Sequence, residues 1–326
     1  MIKLVADSTC DLSDEILAKY DISIAPLTIT IGEKTYKDRI DITPDEFYSM
    51  LSSLEKLPTT AMPSPPEFMS IFEEGLAKGV KDFICINMSS GTSGSYQSAV
   101  LAKNDFLEEH AEEGIRVHVV DSKCMSHGSG YLLMKTAMLR EKGASFEELV
   151  DFNETFKTNV KHFLSVDDLD NLIKSGRLTN VSAMIGKLLK VKPIMSMRSG
   201  RGAIVAKIRG RKKVFKHYVA EFNRRVDEEL SDFIIIGYTS DIALAENLRI
   251  MFENEVGYKG DIYIMQMGVS VGTHVGLGGL ALYFIEEGHH HDGLIYNEMN
   301  QLLDKKNEMM KMVRRLKEKK LKSFDK

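Results

Sequence analysis

The densest chemistry in this chain lies in one short stretch, "SSGTSGSYQSA" from Ser89 to Ala99, where the hydroxyls of Ser89, Ser90, Thr92, Ser93 and Ser95 are interleaved with Gly91 and Gly94. An apolar run, "ICIN", leads into it and a helical pattern follows, so the loop belongs at a strand-to-helix turn. The start of a helix presents unpaired N–H groups and a partial positive charge, which suits a carboxylate or a phosphate. Taken alone, the loop is read first as a serine-rich helix cap. Two catalytic patterns fail by one residue each: no Lys follows Gly94, as a P-loop requires, and Gly91-Thr92-Ser93 lacks the closing glycine of a nucleophile elbow. An anion cradle without a nucleophile is what remains.

Two further segments carry candidate groups. In "KLPTTAMPSPPEF", Lys56 to Phe68, the fixed φ of Pro58 and Pro63 stiffens the backbone around Thr59 and Thr60, so a threonine hydroxyl can be aimed at a site; a rigid linker into a capped helix fits as well. In "GVSVGTHVGLGGLALYF", Gly268 to Phe284, Thr273 and His274 stand among glycines without the G-x-G-x-x-G of a dinucleotide site. The triplet "HHHDG" at His289 lacks the spaced ligands of a metal centre, and no functional metal is expected. "RGRKK", Arg209 to Lys213, is a basic cluster that suits a phosphorylated partner, nucleic acid or plain solvent.

The elements that must position these groups read as an α/β protein. From Lys3 to about Thr158, β-rich runs alternate with helical segments, as in a largely parallel sheet covered by helices. "IKLVA", "DFICIN" and "RVHVVDS" are the clearest strands, and ligands collect at the C-terminal ends of such strands, which makes Asp7, Ser89–Ser95 and Asp121–Ser126 candidates by position. "ISIAPLTITIGEKTYKDRIDI" reads as an inserted hairpin around "GEK", placed to lie over the site as a flap. "TPDE", "SPPE" and "SFEE" are helix starts with a cap hydroxyl and an acid three residues on. A mixed sheet is expected beyond, with helices at 168–174, 212–230 and 242–253. The division is therefore an N-terminal domain at 1–158, a C-terminal α/β domain at 159–288 and a basic helical extension at 289–326.

With 326 residues and a net charge of −4, the chain fits two ordinary domains and has no overall bias toward nucleic acid or membrane. Its apolar runs are far shorter than the roughly 20 residues of a membrane span, and its N-terminus lacks a signal-peptide pattern, so a cytoplasmic setting is expected. Cys10, Cys85 and Cys124 stand far apart and are expected to be reduced thiols. From Lys305 onward 10 Lys and Arg face 3 Asp and Glu, and Met309, Met312, Val313 and Leu316 fall on one stripe. A surface helix or a transient membrane-surface contact follows from that pattern.

Seven segments in order, "VADSTCDLS", "TTAMPSP", "SSGTSGSYQSA", "VDSKCMSHGSG", "DDLDNLIKSGR", "LLKVKPIM" and "GTHVGLGGL", resemble the DegV family of bacterial fatty-acid-binding proteins over residues 1 to 288. The resemblance implies two α/β domains with one long-chain fatty acid between them and no other cofactor. It implies that Thr60, Ser93, Gly94, His274 and Arg209 hold the carboxylate, with Ser90, Gly91, Thr92 and Thr273 supporting the loop. It further implies a non-enzymatic carrier that presents the acid to a separate ATP-dependent kinase subunit for acyl-phosphate formation, touching that kinase through Arg177. Nucleic acid is not an expected partner. Met62, the "GLGGL" sequence and the segment after Gly288 depart from the family pattern. The rival reading is a stand-alone phosphotransferase or esterase using Ser93, and a weaker one is a regulator whose basic tail engages nucleic acid or anionic lipid.

Overall fold

A computed structural model describes residues 1–179 and 191–288; the C-terminal extension and its His triplet lie outside the described residues. The first sheet is parallel throughout, in the order β2-β1-β6-β7, from β1 (Ile2–Asp7), β2 (Ile22–Ala25), β6 (Asp82–Asn87) and β7 (Arg116–Asp121). The expected hairpin is β3 (Thr28–Ile31) and β4 (Lys34–Lys37), joined by β5 (Thr59–Ala61) into a three-stranded antiparallel sheet. The apolar run before "GEK" is split at Pro26, and its first half is β2 of the main sheet rather than an arm of the hairpin. Proline lacks the N–H that a continuous ladder needs.

The second sheet is mixed and seven-stranded, in the order β13-β12-β14-β8-β10-β11-β9. Its strands are β8 (Val160–Ser165), β9 (Leu178–Thr179), β10 (Val191–Arg198), β11 (Arg201–Arg209), β12 (Phe233–Tyr238), β13 (Asp261–Gln266) and β14 (Leu280–Ile285). The molecule is thus a two-domain α/β fold, a parallel sheet followed by a mixed one.

The helices are α1 (Asp14–Lys19), α2 (Pro44–Leu51), α3 (Pro65–Ala77), α4 (Ser95–Glu109), α5 (His127–Glu141), α6 (Phe146–Phe156), α7 (Asp170–Lys174), α8 (Arg211–Arg225), α9 (Ile242–Met251) and α10 (Val269–Val275). The three sequence caps are formed: Glu46, Glu67 and Glu148 each reach back to the backbone N–H of Thr43, Ser64 and Ser145 at 2.9, 2.7 and 2.8 Å. Helix α8 stops at Arg225 instead of running to Leu230. There the Asp227 N–H donates to Ile285 O at 3.0 Å and the Asp227 carboxylate accepts from Leu230 N at 2.9 Å, turning the chain along β14.

Helix α5 joins the domains. Its residues from His127 to Ala137 are all buried, as befits a helix covered on every side. Close packing is possible because Gly128 and Gly130 carry no side chain: a Cβ on Gly128 would stand 1.8 Å from His162 Nε2, and one on Gly130 2.3 Å from Cys10 O. Tyr131 stacks on Phe233 of β12 at 4.2 Å and donates to its carbonyl at 2.9 Å. One apolar cluster therefore runs through both domains, from Leu4 and Ile84 to Ile235 and Tyr283. Among the described residues no helix is long and apolar enough to cross a membrane.

Candidate functional site

The Ser-Gly loop lies at the C-terminal end of β6 and is shaped by its own hydroxyls. Ser90 N donates to Asp121 Oδ1 at 3.0 Å, and Ser90 Oγ and Lys123 Nζ donate to Oδ2. Burial works to raise the Asp121 pKa, but these donors hold it below the usual carboxylate range. Thr92 Oγ1 donates to Ser89 O at 2.9 Å, and Ser89 Oγ to Gly200 O, in the β10–β11 turn, at 2.6 Å. Asp7 accepts from Met88 N at 3.0 Å and Thr9 N at 3.1 Å, tying the ends of β1 and β6 together. Neither Gly91 nor Gly94 has the positive φ that a tight turn demands; Gly91 is needed for close approach to backbone, whereas Gly94 faces the end of a flexible side chain. A Cβ on Gly91 would meet Gly200 O at 2.5 Å, and one on Gly94 the Met62 sulfur at 2.2 Å.

Beyond the loop, α4 starts at Ser95 with Gly94 as its cap, and buries Ser95, Ser98, Ala99, Ala102 and Phe106, an i, i+3, i+4, i+7 face. Ser93 is half-buried at this helix start, its Oγ accepting from Ser95 N at 3.2 Å and lying 3.0 Å from Ser95 Oγ. Among the described residues the partner of Ser93 Oγ is Ser95, whose hydroxyl in turn lies at the buried carboxyl of Asp7.

A cavity of about 170 Å³ opens in front of the loop. Ser93, Gly94 and Thr92 form one wall, Thr60 and Met62 of the β5 segment a second, His274 and Ser270 of α10 a third, and Arg177 joins them after α7. Thr60 Oγ1 and His274 Nε2 are 3.0 Å apart, linking the domains across the cavity. Burial, and behind it the positive charge of Arg177, pulls the His274 pKa down to about 4, so the ring is neutral at physiological pH.

Met125, Arg177 and Val271 also line a second cavity of about 40 Å³, whose remaining walls come mostly from the second domain. Its other walls include Leu164, Leu172, Leu178, Met195 and Met267. The chemistry therefore changes from hydroxyl, imidazole and guanidinium at one end to thioether and aliphatic surface at the other. A neutral ligand end would leave Arg177 without a counter-charge from the ligand, and a wholly polar ligand would waste the second chamber.

The sequence-derived set is partly gathered here. Thr60, Thr92, Ser93, Gly94 and His274 line the cavity. Ser90 and Gly91 hold the loop from behind, and Thr273 turns away, donating to Val269 O at 2.9 Å. The two arginines lie in different surroundings. Arg209 is exposed and pairs in register with Val191, at the opposite end of β11 from the Gly202–Leu178 pairing that follows Arg177. Arg177, expected as an exposed partner contact, is half-buried and lines both cavities. Thr9, Ser270 and Met125 are additional wall residues. Ser270 was within reach of the sequence, since it precedes His274 by one helical turn, but the glycines of this segment concealed α10.

Comparison with known proteins adds the following. A family model described as "Uncharacterised protein, DegV family" matches residues 1–287. A DegV domain-containing protein of Clostridium acetobutylicum is 36% identical over 289 residues, covering 88% of this chain and 99% of the relative. Among solved structures, DegV of Bacillus subtilis, described as a fatty acid binding protein, is 30% identical with a TM-score of 0.75, covering 88% of this chain and 99% of that one. A stearic-acid-binding protein of Eubacterium ventriosum is 28% identical with a TM-score of 0.77, covering 88% and 98%.

Proposed function

This chain belongs to the DegV family, and from that premise and the two joined cavities we propose that it binds one long-chain fatty acid between its domains, carboxylate toward Ser93 and acyl chain toward Met195. The observation that carries the reading is the change of lining, from Thr60, Ser93, His274 and Arg177 to aliphatic and thioether surface, across two cavities that share Met125, Arg177 and Val271 as walls. Arg177 is the cation that faces the carboxylate, and the N-terminus of α4 adds its partial charge. The neutral ring of His274 holds Thr60 at 3.0 Å and orients that hydroxyl toward the ligand. The same arrangement favours a carrier over an enzyme: among the described residues Ser93 Oγ is hydrogen-bonded to Ser95 alone, and in this reading it binds rather than attacks. The carrier reading includes presentation of the bound carboxylate, through the cavity mouth under half-exposed Met62, to an ATP-dependent kinase that forms the acyl phosphate.

Titrating delipidated protein with oleate tests the binding step. Wild-type protein is expected to bind at one-to-one stoichiometry and a Ser93→Ala, Thr60→Ala double variant to bind much more weakly with its fold intact; equal affinity of the two would refute the head-group assignment. Incubation with ATP alone is expected to yield no acyl phosphate, and turnover by the isolated chain would refute the carrier reading.

A further inference from the structure

The tip of a hairpin usually projects into water, which satisfies its backbone groups. The β10–β11 tip is placed differently. Arg198 and Arg201 pair in register and leave Ser199 and Gly200 as a two-residue turn, with φ of 48° and 75°, both positive as in a type I′ turn. Arg198, Ser199 and Arg201 are exposed, whereas Gly200 is buried. Its cover is the Ser-Gly loop of the first domain: a Cβ on Gly200 would stand 2.6 Å from Ser89 Oγ, and one on Gly91 2.5 Å from Gly200 O. Gly91 and Gly200 meet backbone to backbone, which leaves little freedom in the spacing of loop and tip.

Ser89 carries this contact to the head-group cavity. It is fully buried, and its N–H, carbonyl and hydroxyl are all bonded. Its N–H donates to Cys124 O at 2.8 Å, and its carbonyl accepts from Thr92 N at 3.0 Å, Ser93 N at 3.2 Å and Thr92 Oγ1 at 2.9 Å. Its hydroxyl accepts from Gly91 N at 3.3 Å and donates its one proton across the domains to Gly200 O at 2.6 Å. Thr92 and Ser93, which line the cavity, therefore hang on the residue that grips the tip.

Two residues further along β11, about 7 Å of extended chain, the same strand holds the other half of the site. Gly202 pairs in parallel with Leu178, and a Cβ on Gly202 would stand 2.9 Å from Arg177 O. Gly202 O accepts from Thr179 Oγ1 at 2.9 Å. Strand β9 is two residues long, and among the described residues β11 is its one strand partner. Arg177 thus takes its place from β11 as Ser93 takes its place from Ser89, and Ser89 and β11 meet at Gly200.

We propose that the β10–β11 tip is a strut that fixes the spacing between the Ser93 hydroxyl and the Arg177 guanidinium, with Ser89 as the positioning residue that ties it to the loop. Hydroxyl and guanidinium come from different domains, and hydrogen bonds to one carboxylate weaken steeply when either donor drifts out of range or line. A site of this kind has to be held to about 0.5 Å by groups outside it. Ser89 lines neither cavity, so it acts only through what it holds. Losing its hydroxyl frees the tip from the loop, leaves Gly200 O and Gly91 N without that partner, and lets the two halves of the site move apart.

That the cavity takes a carboxylate is the reading given above, and the effect on ligand binding rests on it; amide exchange in the ligand-free full chain does not. Ser89→Ala is expected to weaken oleate binding by about three- to tenfold, part of one charged hydrogen bond, while oleyl alcohol, which offers no carboxylate, stays within about twofold. In ligand-free protein the same variant is expected to speed amide exchange on both sides of the strut, at Thr92 and Ser93 and across Arg177 to Thr179. Should it not fold, Gly91→Ala, which presses a Cβ on Gly200 O and lines neither cavity, is expected to give the same pattern. Faster exchange confined to the loop, or equal losses for acid and alcohol, overturns the strut. Wild-type protein that holds oleate no better than oleyl alcohol overturns the head-group reading instead, while exchange still judges the strut.

Discussion

Replacing Arg177 or Arg209 by glutamine separates two accounts of the charge in the head-group cavity. Arg177 lines the cavity and its Nη1 donates to a backbone carbonyl, Ser175 O; Arg209 is exposed at the far end of β11. A hydrogen bond to a charged group contributes about 1.5–3 kcal/mol, and Arg177 is half-buried, so the full Coulomb energy of a dry ion pair does not apply. At about 1.4 kcal/mol per decade, Arg177→Gln is expected to weaken fatty-acid affinity by about 10- to 150-fold. Arg209→Gln is expected to change it by less than about twofold, the range of an exposed charge screened by solvent. Calorimetric titration of delipidated protein with oleate reads both, with unfolding curves confirming that each variant is folded. Equal losses in the two variants, or a loss confined to Arg209→Gln, would refute the assignment.

Three other changes probe the packing around the site. Gly94→Ala drives a Cβ to 2.2 Å from the Met62 sulfur, the end of a flexible side chain, so the fold is expected to survive while Met62 swings off the mouth and oleate release accelerates; an unaltered release rate would argue against Met62 as a cover. Gly128→Ala places a Cβ 1.8 Å from His162 Nε2 between two buried elements, and is expected to destabilise the protein by about 3 kcal/mol or more despite a gain of about 1 kcal/mol in helix propensity. A urea-unfolding loss under about 1 kcal/mol would show that α5 can shift after all. Acidification supplies the third. Burial holds His127 and His162 down to about 3 and His274 to about 4, so the unfolded chain takes up protons first, and these groups subtract stability as pH falls from about 6.5 to about 3. His274→Gln is expected to shallow that acid limb, and a limb of unchanged slope would contradict the neutral ring.

Local signals in the sequence carried most of the fold. The Glu46, Glu67 and Glu148 caps and strands β1, β6 and β7 follow from propensity and periodicity, which act over a few residues. What stayed hidden depends on distant contact. Helix α10 has four glycines in or just beyond it, at 272, 276, 278 and 279, and is stabilised by its neighbours: a Cβ on Gly272 would meet Tyr48 Oη at 2.3 Å. The positions of Arg177 and Arg209 turn on which end of β11 faces the Ser-Gly loop, and strand register is set by tertiary pairing.

The central claim is that the joined cavities hold a fatty acid by its carboxylate, and the most direct measurement is the mass of the intact protein purified gently from lipid-replete cells under native conditions. The account predicts one added mass per chain, identified after release as a long-chain fatty acid and absent from the Ser93→Ala, Thr60→Ala variant. A bare chain mass under those conditions, or a bound species without a carboxylate, would contradict it.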